Sequence, residues 1–107
     1  MSGDFLKVHA EARRELSVMP ARKPKLEVIA RLQLMEERRI LPPDAEDMGP
    51  PLKGVQLRIV RVGKTQLFLA DHQVSAELLV VAPERNAREA SAIAFKRFES
   101  SVMGNSP

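Results

Sequence analysis

Two apolar stripes run along the segment from Lys25 to Leu41, KLEVIARLQLMEERRIL. On a helical wheel, one side of this segment carries Leu26, Ile29, Ala30, Ile40 and Leu41, and the other carries Val28, Leu32 and Met35. A surface helix normally has one apolar face, whereas a helix that is apolar on most sides is buried or shared with a partner. The pattern therefore predicts a central helix packed on two sides, with the first stripe in the core and Val28, Leu32 and Met35 at an interface.

A strand is the competing interpretation of the same segment. Its apolar residues also alternate over 25–34, which is typical of a half-buried strand. Helix-forming residues such as Glu27, Arg31 and Gln33, together with the length of the run, favour a helix. The pattern leaves both structures open for residues 25–34, and we predict a helix.

A second amphipathic helix is predicted before the central one. Its apolar stripe would consist of Phe5, Val8, Ala12, Leu16 and Met19. Asp4 is the expected N-cap, and the helix would run to about Val18. Two prolines in the connector 20–24 end it.

The stretch 42–54 contains prolines, glycines and acidic residues and is predicted to be a surface loop. It separates a helical part, residues 4–41, from a second part, residues 55–103, that mixes strands and a helix. Residues 104–107 are expected to be a loose tail. Because 107 residues suit one modest core, we expect a single small domain over 1–107.

Three strands are predicted in the second part, at 55–62, 65–70 and 74–82, because apolar residues alternate in them. Gly63-Lys64 is a candidate two-residue turn with Gly first, as a type II′ turn requires, and the turn at 71–73 is also short. Such turns connect antiparallel strands, since parallel strands need a dozen or more connecting residues. The sequence predicts an α+β fold of order α-α-β-β-β-α, with a three-stranded antiparallel meander covered by helices.

The last helix is expected to begin at Asn86, which has Glu89 three residues on, as in a capping box. Gly104 would end this helix. The apolar stripe of the helix places Phe98 in the core, and strand alternation places Leu57 there too.

Composition narrows the functional classes. The chain has no cysteine, so disulfides and thiolate metal sites are excluded. We find no apolar run of the ~20 residues that a membrane span needs, and a cytoplasmic protein with no membrane partner is the expectation.

The candidates for catalysis and metal binding are weak. Gly63-Lys64-Thr65 is like the end of a phosphate-binding loop, but Arg58 stands where that motif needs a glycine. Asp71, His72 and Ser75 have the residue types of a hydrolytic triad without a nucleophile elbow. Metal ligands would have to come from His9, His72, Asp44, Glu46 and Asp47, which lack a recognised metal-site spacing. We expect no enzyme, no cofactor and no metal site.

Basic residues support one functional alternative. The formal net charge is +3, and two groups of cations belong to the first hairpin and to the start of the last helix. These residues are Lys53, Arg58, Arg61, Lys64, Arg85 and Arg88. If both groups lie on one side, they could follow the phosphate backbone of a nucleic-acid duplex.

A protein-interaction module is the first functional expectation. Three helices exceed what a three-stranded sheet needs as cover, and the central helix is apolar on two sides. Surplus apolar surface marks a contact with another protein. We therefore expect an interaction or assembly module that docks through helix 25–41 on another protein or a second copy of itself.

Overall fold

The chain folds into one mixed sheet with helices on both of its faces. The computed structural model describes residues 5–104, apart from the side chains of 84 and 101–104. Two predictions lie outside this range: the cap at Asp4 and the loose tail over residues 105–107. Within it the elements, in chain order, are β1 (Leu6–Val8), α1 (Ala10–Ser17), α2 (Arg22–Arg38), β2 (Glu46–Asp47), β3 (Gln56–Val62), β4 (Thr65–Asp71), β5 (Ala76–Pro83) and α3 (Ala87–Gly104).

The predicted meander forms the middle of the sheet, which has the order β1-β5-β4-β3-β2. β3 pairs with β4, and β4 with β5, both antiparallel. Gly63 has a φ of 61°, and Val62 pairs with Thr65 across the expected two-residue turn. The α+β class is confirmed, but the sheet has two more strands than predicted: β1, which is parallel to β5, and β2, which is antiparallel to β3.

The two faces of the sheet build two apolar clusters. The first lies under α1 and α2 and includes Val60, Val62, Leu67 and Leu78. The second lies under α3 and includes Leu57, Phe68 and Phe98. Leu57 and Phe98 are each 2% exposed, so their predicted core positions are confirmed. Because helices cover both faces of the sheet, the strands carry apolar side chains on both faces.

A bulge explains the continuous apolar run in β5. Leu69 pairs with Leu78 and Phe68 with Val80, so Leu79 is an extra residue in the ladder. An extra residue shifts the alternation of side chains by one. Leu79 and Val80 therefore both belong to the cluster under α3, while Leu78 and Val81 belong to the other.

The prediction of a first helix from residue 4 is wrong at its beginning. Leu6–Val8 is a strand whose partner in the sheet is Ala76–Leu78. The helix begins only at Ala10, and the side chain of His9 caps it by accepting a hydrogen bond from the Glu11 N–H at 3.1 Å. Strand pairing of Leu6–Val8 with β5 overrides the local helical spacing. Because β1 comes from the first part of the chain and β5 from the second, one sheet joins both parts.

The segment predicted as a plain loop contributes β2, which lies at the edge of the sheet. Its residues Glu46 and Asp47 pair with Ile59 and Arg58 of β3. Charges support this short strand: Arg61 forms an ion pair with Glu46, and Arg58 with Asp47. Pairing through two acidic residues leaves no alternating apolar pattern for a strand prediction to detect.

The central segment is a helix, which decides between the two predicted structures. Its bounds are Arg22–Arg38, so it begins and ends three residues before the predicted 25–41, and its C-cap Arg39 has a left-handed conformation with a φ of 56°. The assignment of its faces must be corrected, because Val28, Leu32 and Met35 are 0%, 8% and 2% exposed and belong to the core.

The side that was predicted to lie in the core is largely outside. Leu26 is 53% exposed and Ile40 is 64% exposed, and of that group only Leu41 is buried. Of the two apolar stripes, the one that packs towards the sheet is the one that was predicted to form an interface.

Candidate interaction site

The solvent-facing side of α2 carries an apolar stripe, the outer stripe, made of Leu26, Ala30 and Leu34. These residues are spaced by four, so they follow one line along the helix. Leu26 and Leu34 are 53% and 39% exposed, and Ala30 between them is exposed as well. A shallow groove of about 460 Å³ lies over the first half of the stripe, beside Arg22, Lys23 and Glu27.

The opposite side fixes α2 firmly on the molecule. Val28, Leu32 and Met35 pack into the core under the helix. The carboxylate of Glu36 accepts hydrogen bonds from the backbone N–H groups of Phe5 and Leu6, the latter at 2.8 Å. These contacts set the rotation of α2 about its axis, so the outer stripe is presented in one orientation.

The six basic residues of the nucleic-acid hypothesis do not form one surface. Arg58 is engaged by Asp47 and by Asp71, whose Oδ2 lies 2.9 Å from the Arg58 Nε, and Arg61 by Glu46. Lys53 precedes β3, whereas Lys64 is in the turn at the other end of that strand.

The hairpin tip and the start of the last helix do come together. Thr65 pairs with Pro83, which places Lys64 near Arg85. Arg85 and Arg88 are exposed, as is Lys64. These three cations therefore lie at one end of the sheet, with the acidic Glu89 in the same first turn of α3.

The residues considered for catalysis have structural contacts. The Asp71 carboxylate binds Arg58 and also accepts from the Gln73 N–H at 2.9 Å. The His72 ring lies 6.4 Å from the Phe98 ring, and its backbone N–H donates to the Ser75 carbonyl. Within the described residues, no group of three or more His, Asp or Glu is placed to hold a metal ion.

A partly buried ion pair, which no sequence pattern indicates, closes the free edge of the sheet. β1 covers β5 only as far as Leu78, and beyond that residue β5 has no further strand neighbour on this side among the described residues. Instead, the Val81 N–H donates to Glu15 Oε1 at 3.0 Å, and Arg97 Nη1 donates to the Leu79 carbonyl at 2.8 Å.

Glu15 and Arg97 also bind each other through two parallel hydrogen bonds of 2.9 Å, and we call this pair the edge clamp. The clamp connects α1 with α3 across β5. A groove of about 390 Å³ lies beside it, between the end of α1 and the start of α3. The only signal in the sequence was a charged residue near the apolar stripe of each helix, which is too common to indicate a pair.

Comparisons with known proteins give no identification. No family model matches the chain, and neither a curated protein nor a solved structure matches it. Among the helices of residues 5–104, none has the length and apolar character to cross a membrane.

Proposed function

We propose that this protein is a non-catalytic assembly module that self-associates through the outer stripe of α2. The observation that carries the proposal is the exposure of Leu26 and Leu34 on a helix whose other side is packed into the core. Exposed single apolar side chains are ordinary, but a line of them on one helix face is the usual anchor pattern of a helix-mediated contact.

A second copy of the chain is the partner that this surface fits best. Lys23 lies before the outer stripe and Glu37 lies after it, and both are exposed. A surface with a positive and a negative end is complementary to itself when one copy is reversed. Self-complementarity of this kind is what a two-fold symmetric interface requires. Because the outer stripe has only two leucines and an alanine, we expect a contact below the ~800 Å² per partner of a standard interface, and therefore a weak, concentration-dependent dimer.

The test is the mass of the protein measured by sedimentation equilibrium and light scattering over protein concentrations from about 1 μM to about 1 mM, a range chosen for weak affinities. The variant Leu26→Glu/Leu34→Glu places charges in the contact and should remain monomeric with an unchanged circular dichroism spectrum. Val74→Glu is the matched control, because Val74 is 88% exposed, lies in the β4–β5 turn and is not part of the outer stripe. A wild-type chain that stays monomeric over the whole range would overturn the proposal.

Binding to a nucleic-acid duplex is the second candidate, favoured by the proximity of Lys64, Arg85 and Arg88. Three phosphate contacts would give a slope of log affinity against log salt of about −2.7. Lys64→Glu/Arg88→Glu should then weaken duplex binding, while Lys53→Glu, at the other end of β3, should not. Equal duplex binding by these two variants would exclude the surface at the hairpin tip.

A further inference from the structure

The exposed side of α2 has an internal symmetry about Ala30. With 3.6 residues per turn, Lys23 and Glu37 lie within about 20° of Ala30 around the helix axis, and Leu26 and Leu34 lie about 40° to either side. Val28, Leu32 and Met35, on the far side, are buried. Ala30 therefore marks both the centre of the exposed face and the midpoint of a Lys-Leu-Ala-Leu-Glu line, which is about 21 Å long.

We propose that two copies pair α2 against α2 in antiparallel orientation, with the two-fold axis passing beside Ala30. This inference rests on the proposed function, since it specifies the partner and the geometry of the same surface. In this arrangement Ala30 faces Ala30 of the partner subunit, and Leu26 packs on Leu34 of the partner subunit. Two-fold symmetry repeats this contact, so all four leucines of the pair are covered.

Charge decides between the two possible directions of the pair. In a parallel pair, Lys23 would face Lys23 of the partner subunit and the two Glu37 side chains would face each other. In the antiparallel pair, Lys23 faces Glu37 of the partner subunit, and symmetry repeats that ion pair at the other end. Opposite charges across a helix contact stabilise it and like charges destabilise it by similar amounts. Arg22 and Arg38 lie about 80° from the centre, where they can remain in solvent.

The small side chain at the centre permits close approach. Helix axes pack 8–10 Å apart in general, with the shorter distance where the contacting side chains are small. Ala30 lies beside the two-fold axis, with a leucine one turn to either side. The leucines therefore pack beside the point of closest approach of the two helices. A large residue at position 30 would separate the helices and leave both leucines in contact with water.

The cysteine-free sequence makes the geometry testable by crosslinking. Ala30→Cys introduces the chain's sole thiol, and the two-fold axis places two such thiols within the Cα separation of 4.4–6.8 Å that a disulfide requires. Gln33→Cys is the matched control on the same exposed face, because its two copies lie about 9 Å apart along the axis. We expect oxidation to convert Ala30→Cys to a covalent dimer at least tenfold faster than Gln33→Cys.

A charge exchange provides the second measurement. Lys23→Glu and Glu37→Lys should each weaken the dimer by about threefold or more, because each creates two like-charge contacts. Lys23→Glu/Glu37→Lys in one chain should restore the wild-type dissociation constant. A dimer whose Ala30→Cys variant crosslinks no faster than Gln33→Cys, or that the double exchange fails to restore, overturns the antiparallel arrangement and leaves self-assembly standing. A protein that remains monomeric overturns both.

Discussion

The edge clamp gives the sharpest prediction for stability. Glu15→Ala removes the bidentate partner of Arg97 and the acceptor of the Val81 N–H in one substitution. The two side chains are only 15% (Arg97) and 30% (Glu15) exposed, so water compensates for the loss incompletely. A hydrogen bond to a charged group contributes about 1.5–3 kcal/mol, and a buried donor left without a partner costs about 1–3 kcal/mol.

Because Glu15 is partly accessible, we take the lower half of each range and expect a loss of about 2.5–4 kcal/mol in the free energy of unfolding. For a domain of this size, that corresponds to a fall in Tm of about 10–25 °C. Glu15→Gln should lose less, because its amide oxygen can still accept from Val81. The measurements are urea titration and thermal melting followed by circular dichroism.

Glu11→Ala is the matched control on the same helix. Glu11 lies 3.9 Å from Arg14, and their side chains are 48% and 74% exposed. Pairs of this kind contribute about 1 kcal/mol or less. If Glu15→Ala and Glu11→Ala destabilise the protein equally, the clamp contributes no more than a surface pair and our account of the sheet edge is wrong.

Two further predictions concern the core. Leu32→Glu should unfold the protein, with a loss of more than about 4 kcal/mol, because it buries an unpaired charge under α2. Leu34→Glu, two residues on, should leave the helical circular dichroism signal unchanged. A folded Leu32→Glu variant would contradict the orientation of the helix. Phe98→Ala should cost about 3–5 kcal/mol in urea titration, since Phe98 is 2% exposed, and much more than Ile93→Ala, which truncates a side chain that is 37% exposed. A loss below about 1 kcal/mol for Phe98→Ala would place that ring at the surface.

The parts of the fold that depend on neighbouring residues could be predicted from the sequence. The hairpin at Gly63-Lys64 and the strand alternation of β3 are local patterns, and both are found. Strand β1 could not be predicted, because its pairing with Ala76–Leu78 joins segments that are far apart in the sequence. The apolar residues at 5, 8 and 12 fit helical spacing equally well, and only the position of β5 decides between the two structures.

The orientation of α2 shows a different limit. Both sides of the helix carry apolar residues, and periodicity contains no information about which side meets the sheet. Leu26 and Leu32 are the same residue type, yet one is 53% exposed and the other 8%. The helix was predicted, but the candidate interaction surface lies on the side of α2 opposite to the one that was predicted.

The parallel pairing of β1 with β5 has a consequence for how the chain reaches this structure during synthesis. The β3–β4–β5 meander has short connections and can form as soon as residue 83 is available, but β1 is made much earlier and has to wait for β5. The closure entropy of so long a segment opposes that contact, and contacts of large sequence separation slow folding. Until β1 pairs with β5 and the edge clamp forms, the outer side of β5 is an open strand edge, with which a second nascent chain can pair. Conditions that slow the docking of α1 beside β5 should therefore produce aggregates before they produce unfolded monomers.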